Sequence, residues 1–158
     1  MEEQDRAAFA AAVTAHSRAM FRAARALLDS DADAEDAVGE AVLRAWRSWG
    51  RLRDRERVRP WLVRIAVNCA REHRRKYGRI LPVEDLEALA GAAEPEPAST
   101  LWDAVLLLPP DQRAAVTLFY YEEMSEAETA RALSVPKGTV KSRLSRARAA
   151  LRTLLKEE

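Results

Sequence analysis

The chain has 158 residues, with 26 Lys plus Arg against 25 Asp plus Glu for a formal net charge of +1. It is 48% hydrophobic and 32% charged, with only five glycines. This composition suits one or two small soluble domains and argues against collagenous, membrane-spanning or disulfide-stapled classes. The lone Cys69 cannot form an intramolecular disulfide, and with only His16 and His73 beside it there is no plausible zinc set, so no metal and no cofactor are expected. No apolar run approaches the roughly 20 residues that cross a bilayer, and residues 1–28 lack the basic start and apolar stretch of a secretion signal. A cytoplasmic protein without membrane insertion is the expectation.

In chain order, Phe9, Val13, Met20, Ala24, Leu27 and Leu28 recur at three- and four-residue steps and predict a first helix ending near Asp29-Ser30. A second helix is predicted from about Ala32 to Trp49. Its projection puts Ala34, Ala37, Val38, Ala41 and Ala45 on one side, with Asp33, Asp36, Glu40, Arg44 and Arg47 opposite, where a partner can reach them. Gly50 to Arg59 mixes acidic and basic groups without helical period, and Pro60 makes a good first residue for a third helix from Trp61 to about Tyr77.

On that third helix Trp61, Leu62, Ile65, Ala66 and Cys69 share one face, and Arg64, Asn68, Arg71 and Arg75 cluster on another. Guanidinium groups can neutralise phosphates while an asparagine among them hydrogen-bonds a base edge or an exposed base. Taken alone, the stripe equally fits a solvated helix face that complements the helix dipole. Tryptophans at helical spacing, Trp49 and Trp61, are more often core than stacking platforms.

Residues 1–80 carry 17 basic and 12 acidic groups, residues 81–110 none and 6, and residues 111–158 carry 9 and 7. The acidic, Pro- and Ala-rich middle, with Gly91-Ala92-Ala93-Glu94-Pro95-Glu96-Pro97, reads as a linker. After Leu108-Pro109-Pro110, Asp111 is placed to cap a helix containing Ala115, Val116, Leu118 and Phe119. Ser125 and Glu128 form a capping-box pattern for the next helix, and Ser134-Val135-Pro136 turns the chain. The last helix begins at Lys137 and carries seven basic residues before Glu157. Val140, Leu144, Ala147, Leu151 and Leu154 occupy one arc, and Lys141, Ser142, Ser145 and Arg146 the far side. A short helix, a turn and a longer basic helix is the arrangement that presents a recognition helix to a major groove, with Thr139 near its amino end placed to donate to a phosphate. The alternative is a solvated helix in a bundle. No segment alternates long enough to read as a strand, so the fold is expected to be all-α: two small helical domains joined by the acidic linker.

Three stretches together resemble the extracytoplasmic-function group of bacterial sigma factors, in the sigma-70 family: DAEDAVGEAVLRAW (33–46), RPWLVRIAVNCAREHRRK (59–76) and LPPDQRAAVTLFYYEEMSEAETARALSVPKGTVKSRLSRARAAL (108–151). The resemblance implies residues 1–80 as a region 2-like domain, 81–107 as linker and 108–158 as a region 4-like helix-turn-helix. It implies core RNA polymerase and promoter DNA as partners, with docking on polymerase through Asp33, Asp36, Glu40 and Arg44. Trp61, Arg64, Asn68, Arg71 and Arg75 would open and read the −10 element. Thr139, Lys141, Ser142, Ser145 and Arg146 would read the −35 element as duplex. Families of this type often have an anti-sigma protein, which joins the candidate partners. The sequence departs from the family at Gly39, where glutamine is usual, and at Val58, where an aromatic commonly precedes the Pro-Trp pair. A stand-alone helix-turn-helix regulator is the competing reading, separable by co-purification with core polymerase. An enzyme built on Glu84, Asp85 and Glu87 with His16 or His73 lacks a nucleophile or metal set, and no catalytic residue is assigned.

Overall fold

The structure is a computed structural model that describes residues 3–77 and 100–155, and within them it contains helices and turns but no strand. Glu84, Asp85 and Glu87 of the enzyme alternative, and most of the expected linker, lie outside these residues. Helix α1 (Glu3–Leu27) has Glu3 and Asp5 in its first turn and Arg25 in its last, the order that complements the helix dipole. The Ser30 side chain accepts from the Asp33 backbone N–H at 3.1 Å and so caps α2 (Asp31–Arg47). Helix α2 buries Ala34, Ala37, Ala41 and Ala45, four small residues that let it pack closely.

Helix α2 stops at Arg47 rather than near Trp49, because Trp49 enters a short 3-10 turn (Trp49–Arg51) that drops its indole into the core. There it meets Phe9 edge-on at 5.2 Å and Trp61 at 6.0 Å. A second 3-10 turn (Arg55–Arg57) leads into α3 (Val58–Tyr77), which begins before Pro60. Proline is tolerated there because the first turn's N–H groups have no intrahelical partner.

The second half opens with α4 (Leu101–Leu106), capped by Thr100, at positions that composition assigned to the linker. Helix α5 (Pro110–Val116) follows, and Asp111 lies in its first turn without capping it. The chain continues as a π-helical turn (Thr117–Tyr121), then α6 (Glu126–Leu133) and α7 (Lys137–Leu155). The Ser125–Glu128 capping box forms with both reciprocal bonds, at 2.8 and 3.0 Å. Ser134 ends α6 in the left-handed region at φ 58°, which turns the chain into α7.

Two apolar clusters result. One gathers Phe9, Met20, Trp49, Leu62, Val63 and Val67 between α1, α2 and α3. The other gathers Val105, Leu108, Val116, Val140 and Leu144 beneath α7. Ala114, Leu118 and Met124 of the second half pack into the first half's cluster, so the halves are joined by shared core. Each fully buried leucine, such as Leu62 or Leu118, contributes about 1.5–3 kcal/mol. Among the described residues no helix is long and apolar enough to cross a membrane.

Candidate nucleic-acid interface

Helix α7 divides as its pattern predicts. Val140, Leu144 and Ala147 are buried, while Lys141, Ser145 and Arg146 are exposed on the opposite side. Ser142 is half-buried and its Oγ donates to the Thr139 carbonyl at 3.1 Å, which ties the two hydroxyl residues to the helix's first turns. The other cations of α7 are not equivalent. Arg143 lies 3.8 Å from Asp111, and Arg148 Nε donates to the Tyr120 hydroxyl at 2.7 Å. These two brace α7 against α5 and the π-helical turn, while Lys141 and Arg146 point outward, with Lys137 and Arg152 also exposed along the helix.

On α3 the structure brings Arg64, Asn68 and Arg75 together as exposed groups on one face. Arg71 is half-buried, and its Nη1 donates to the Ala132 carbonyl of α6 at 3.3 Å. Trp61 is not presented to a ligand in the same way. It is half-buried and packs with Trp49, which orders the start of the helix. The basic end of α3 is also partly committed, since Arg74 donates to the Leu27 carbonyl at 3.2 Å.

The acidic face of α2 meets α3 in a cleft lined by Asp33, Asp36, Glu40, Arg44, Cys69, Glu72 and His73. Arg44 Nη1 donates to Glu72 Oε2 at 3.1 Å, Nη2 donates to the other Glu72 oxygen, and Nε donates to Glu40 at 3.2 Å. The bidentate bond from Arg44 holds the Glu72 carboxyl below its ordinary range, and in turn raises the guanidinium of Arg44. Burial pushes the Cys69 thiol up to about 11, so it is a protonated packing group near neutral pH. Asp33, Asp36 and His73 bring their ligand atoms within 4.8 Å of one another, with His73 Nε2 3.9 Å from Asp33, a contact that is ionic only when the imidazole is protonated.

Sequence reasoning missed the residues that fasten the two halves. Arg113 is 5% exposed; its Nε donates to the Ala26 carbonyl at 2.8 Å and its Nη2 to the Leu28 carbonyl at 3.3 Å, with Asp29 at 3.4 Å. Burial lowers its affinity for its proton, and the carboxylate of Asp29 opposes that. Glu122, its side chain 1% exposed, lies between Arg59 at 3.1 Å and Arg22 at 3.5 Å. Its carboxyl is raised by burial, against the pull of the two guanidiniums. The signal available in the sequence was an arginine, Arg113, adjoining the apolar run Ala114 to Leu118. Such a charge is retained only where a buried acceptor meets it.

Comparison with known proteins bears on both faces. Residues 12–80 match the family described as Sigma-70 region 2, and residues 99–151 match Sigma-70, region 4. The ECF RNA polymerase sigma factor SigM of Mycobacterium tuberculosis is 42% identical over 154 residues, covering 96% of this chain and 79% of that protein. The RNA polymerase sigma-E factor of Streptomyces coelicolor is 37% identical over 139 residues, covering 85% and 78%. Among solved structures, the sigma factor RpoE in complex with the anti-sigma factor NepR from Bartonella quintana aligns with a TM-score of 0.66 and 28% identity over 92% of this chain and 95% of that one. Two helical halves in the order of region 2 and region 4, each with a polar face on a packed helix, agree with relatives matched over nearly the whole length: the chain belongs to the extracytoplasmic-function RNA polymerase sigma factors of the sigma-70 family.

Proposed function

We propose that this sigma factor divides promoter recognition between its two halves while α2 holds the polymerase. The α2 face of Asp33, Asp36, Glu40 and Arg44 contacts core RNA polymerase. Helix α3 holds the −10 element, with Arg64, Arg71 and Arg75 on phosphates and Asn68 on an unstacked base. Trp61 supports that helix through Trp49. In the second half, Lys141, Ser142, Ser145 and Arg146 read the −35 element in the major groove, and Thr139 donates to a phosphate near the amino end of α7. The domain limits follow the sequence reading, 1–80 and 108–158, except that the second unit extends back to include α4 at Leu101–Leu106. The work is regulatory, without a reaction of the chain's own, and takes place in the cytoplasm; an anti-sigma protein is a candidate partner, a reading supported by the solved relative RpoE in complex with the anti-sigma factor NepR.

The observation that carries this reading is the segregation on α7. Buried Val140, Leu144 and Ala147 fix which side faces away, and that side presents Lys141, Ser145 and Arg146 without an acidic residue among them. Small serines allow close approach and the flanking cations supply charge. A stand-alone regulator would share this face but would not need the exposed acidic groups of α2.

Run-off transcription from a promoter library, with core polymerase in the presence and absence of the chain, tests the reading. Initiation at new sites is expected only with the chain present. Arg146→Ala should weaken or broaden selection at the upstream element by about 1–3 kcal/mol if the guanidinium reads a base. Unchanged preference and strength would remove Arg146 from the recognition set.

A further inference from the structure

The cleft between α2 and α3 gathers donors of more than one kind. Asp33 and Asp36 on α2 and His73 on α3 each bring a ligand atom within 4.8 Å of the others. Residues three apart share a helix face, and α3 supplies the third donor from across the cleft. Cys69, one turn before His73, lines the same cleft; it is 3% exposed, and its thiol has no hydrogen-bond partner among the described residues. His73 lies far along the chain from Asp36, so no metal-ligand spacing is visible in the sequence, and sulfur and imidazole alone make no set.

The cations of the cleft are committed elsewhere. Arg44 is bonded to Glu40 and Glu72, and the Lys76 ammonium lies over the Tyr77 ring at 5.5 Å. Asp36 is exposed and its side chain has no ion pair or hydrogen bond among the described residues, while Asp33 has only His73, 3.9 Å away. With the imidazole neutral, two carboxylates stand together without a counter-ion, and they repel each other. A cation between them reverses the sign of that interaction. The positions are also held: Tyr77 packs on the imidazole at 4.9 Å, and the bond from Arg44 to Glu72 fixes α2 against α3.

Bonds of about 2.0–2.2 Å to nitrogen and oxygen place opposite ligands of a zinc-like ion at most about 4.4 Å apart, so a small rotation of the exposed Asp36 carboxylate completes the set. One imidazole with two carboxylates favours cations of the zinc and cobalt(II) class over magnesium and calcium, which take oxygen ligands. We propose that Asp33, Asp36 and His73 bind one divalent cation of that class, and that the bound ion competes with core RNA polymerase for the two aspartates. The competition rests on the reading of Asp33 and Asp36 as polymerase contacts; the metal site stands without it.

The test uses the full, untagged chain with zinc chloride and with cobalt(II) chloride. Titration calorimetry should show one zinc per chain, and cobalt should develop the visible ligand-field bands of a bound ion. Asp36→Asn, exposed and nearly isosteric, and His73→Ala should each weaken binding by at least about tenfold with helical circular dichroism retained. Absence of binding to the wild type, or undiminished affinity in both variants, overturns the site. Association with core polymerase is then measured with and without one equivalent of zinc. The wild type should bind at least about fivefold more weakly with zinc, whereas His73→Ala, which keeps both aspartates, should bind equally well with and without it. If zinc has no effect on the wild type while metal-free Asp36→Asn binds polymerase poorly, the competition is overturned. If zinc has no effect and Asp36→Asn also binds polymerase normally, the polymerase assignment of this face is overturned and the metal site is upheld.

Discussion

Arg44 illustrates how one side chain can be both an expected contact and a structural tie. Its guanidinium joins Glu40 on its own helix to Glu72 on α3, so the acidic face of α2 is held in register with the helix that carries the basic stripe. The Glu72 carboxyl, held low chiefly by the bond from Arg44, contributes stability at pH values above its ordinary range. That contribution is lost as pH falls through the lowered value, when the carboxyl protonates. Both partners are more than a third exposed, so the effect is screened to less than about 1 kcal/mol. Glu72→Gln should therefore lower the thermal midpoint slightly at pH 7 and converge with the wild type in acid, as read by circular dichroism melts at several pH values. A deficit of the same size at every pH would show that packing, not charge, sets the role of Glu72.

Among the elements, α2 and α6 show how local chemistry decides stability before any partner is involved. Gly39 lies on the exposed side of α2 with open space around the position a Cβ would take. Gly39→Ala should raise stability by about 0.5–1 kcal/mol in denaturant titration, because glycine in a helix interior carries the larger entropy loss. Ser125→Ala removes the cap of α6 and should cost about 1 kcal/mol in the same measurement, with the helix-turn-helix loosening first in hydrogen exchange. Equal protection of α6 and α7 in that variant would argue that packing against α7 alone orders the turn.

For the whole molecule, the shared core makes stability a joint property of the halves. Leu118 belongs to the second half by sequence and to the first half's cluster by position, and it is fully buried. Leu118→Ala should destabilise the chain by about 2–5 kcal/mol and separate the unfolding of the two halves, which calorimetry would show as two transitions in place of one. A single transition with an unchanged midpoint would mean that the halves fold independently of this contact.

Sequence alone was enough for every described helix but α4, for the apolar side of Ala34, Ala37, Ala41 and Ala45, for the capping box at Ser125 and for the outward Lys141, Ser145 and Arg146 on α7, since each depends on residues within a turn or two. A boundary shifted where a side chain had a tertiary destination, as with Trp49, and a helix stood in place of expected linker where a short segment found a core, as with Val105 in α4. The pairing of the halves could not be read that way. Arg71 with Ala132 and Arg113 with Ala26 span 61 and 87 residues, and periodicity carries no information about which distant acceptor a buried cation will meet. Only the tertiary structure decided that Arg71 and Arg113 meet acceptors across the two halves, because desolvated charge is tolerated just where folding brings a partner to it.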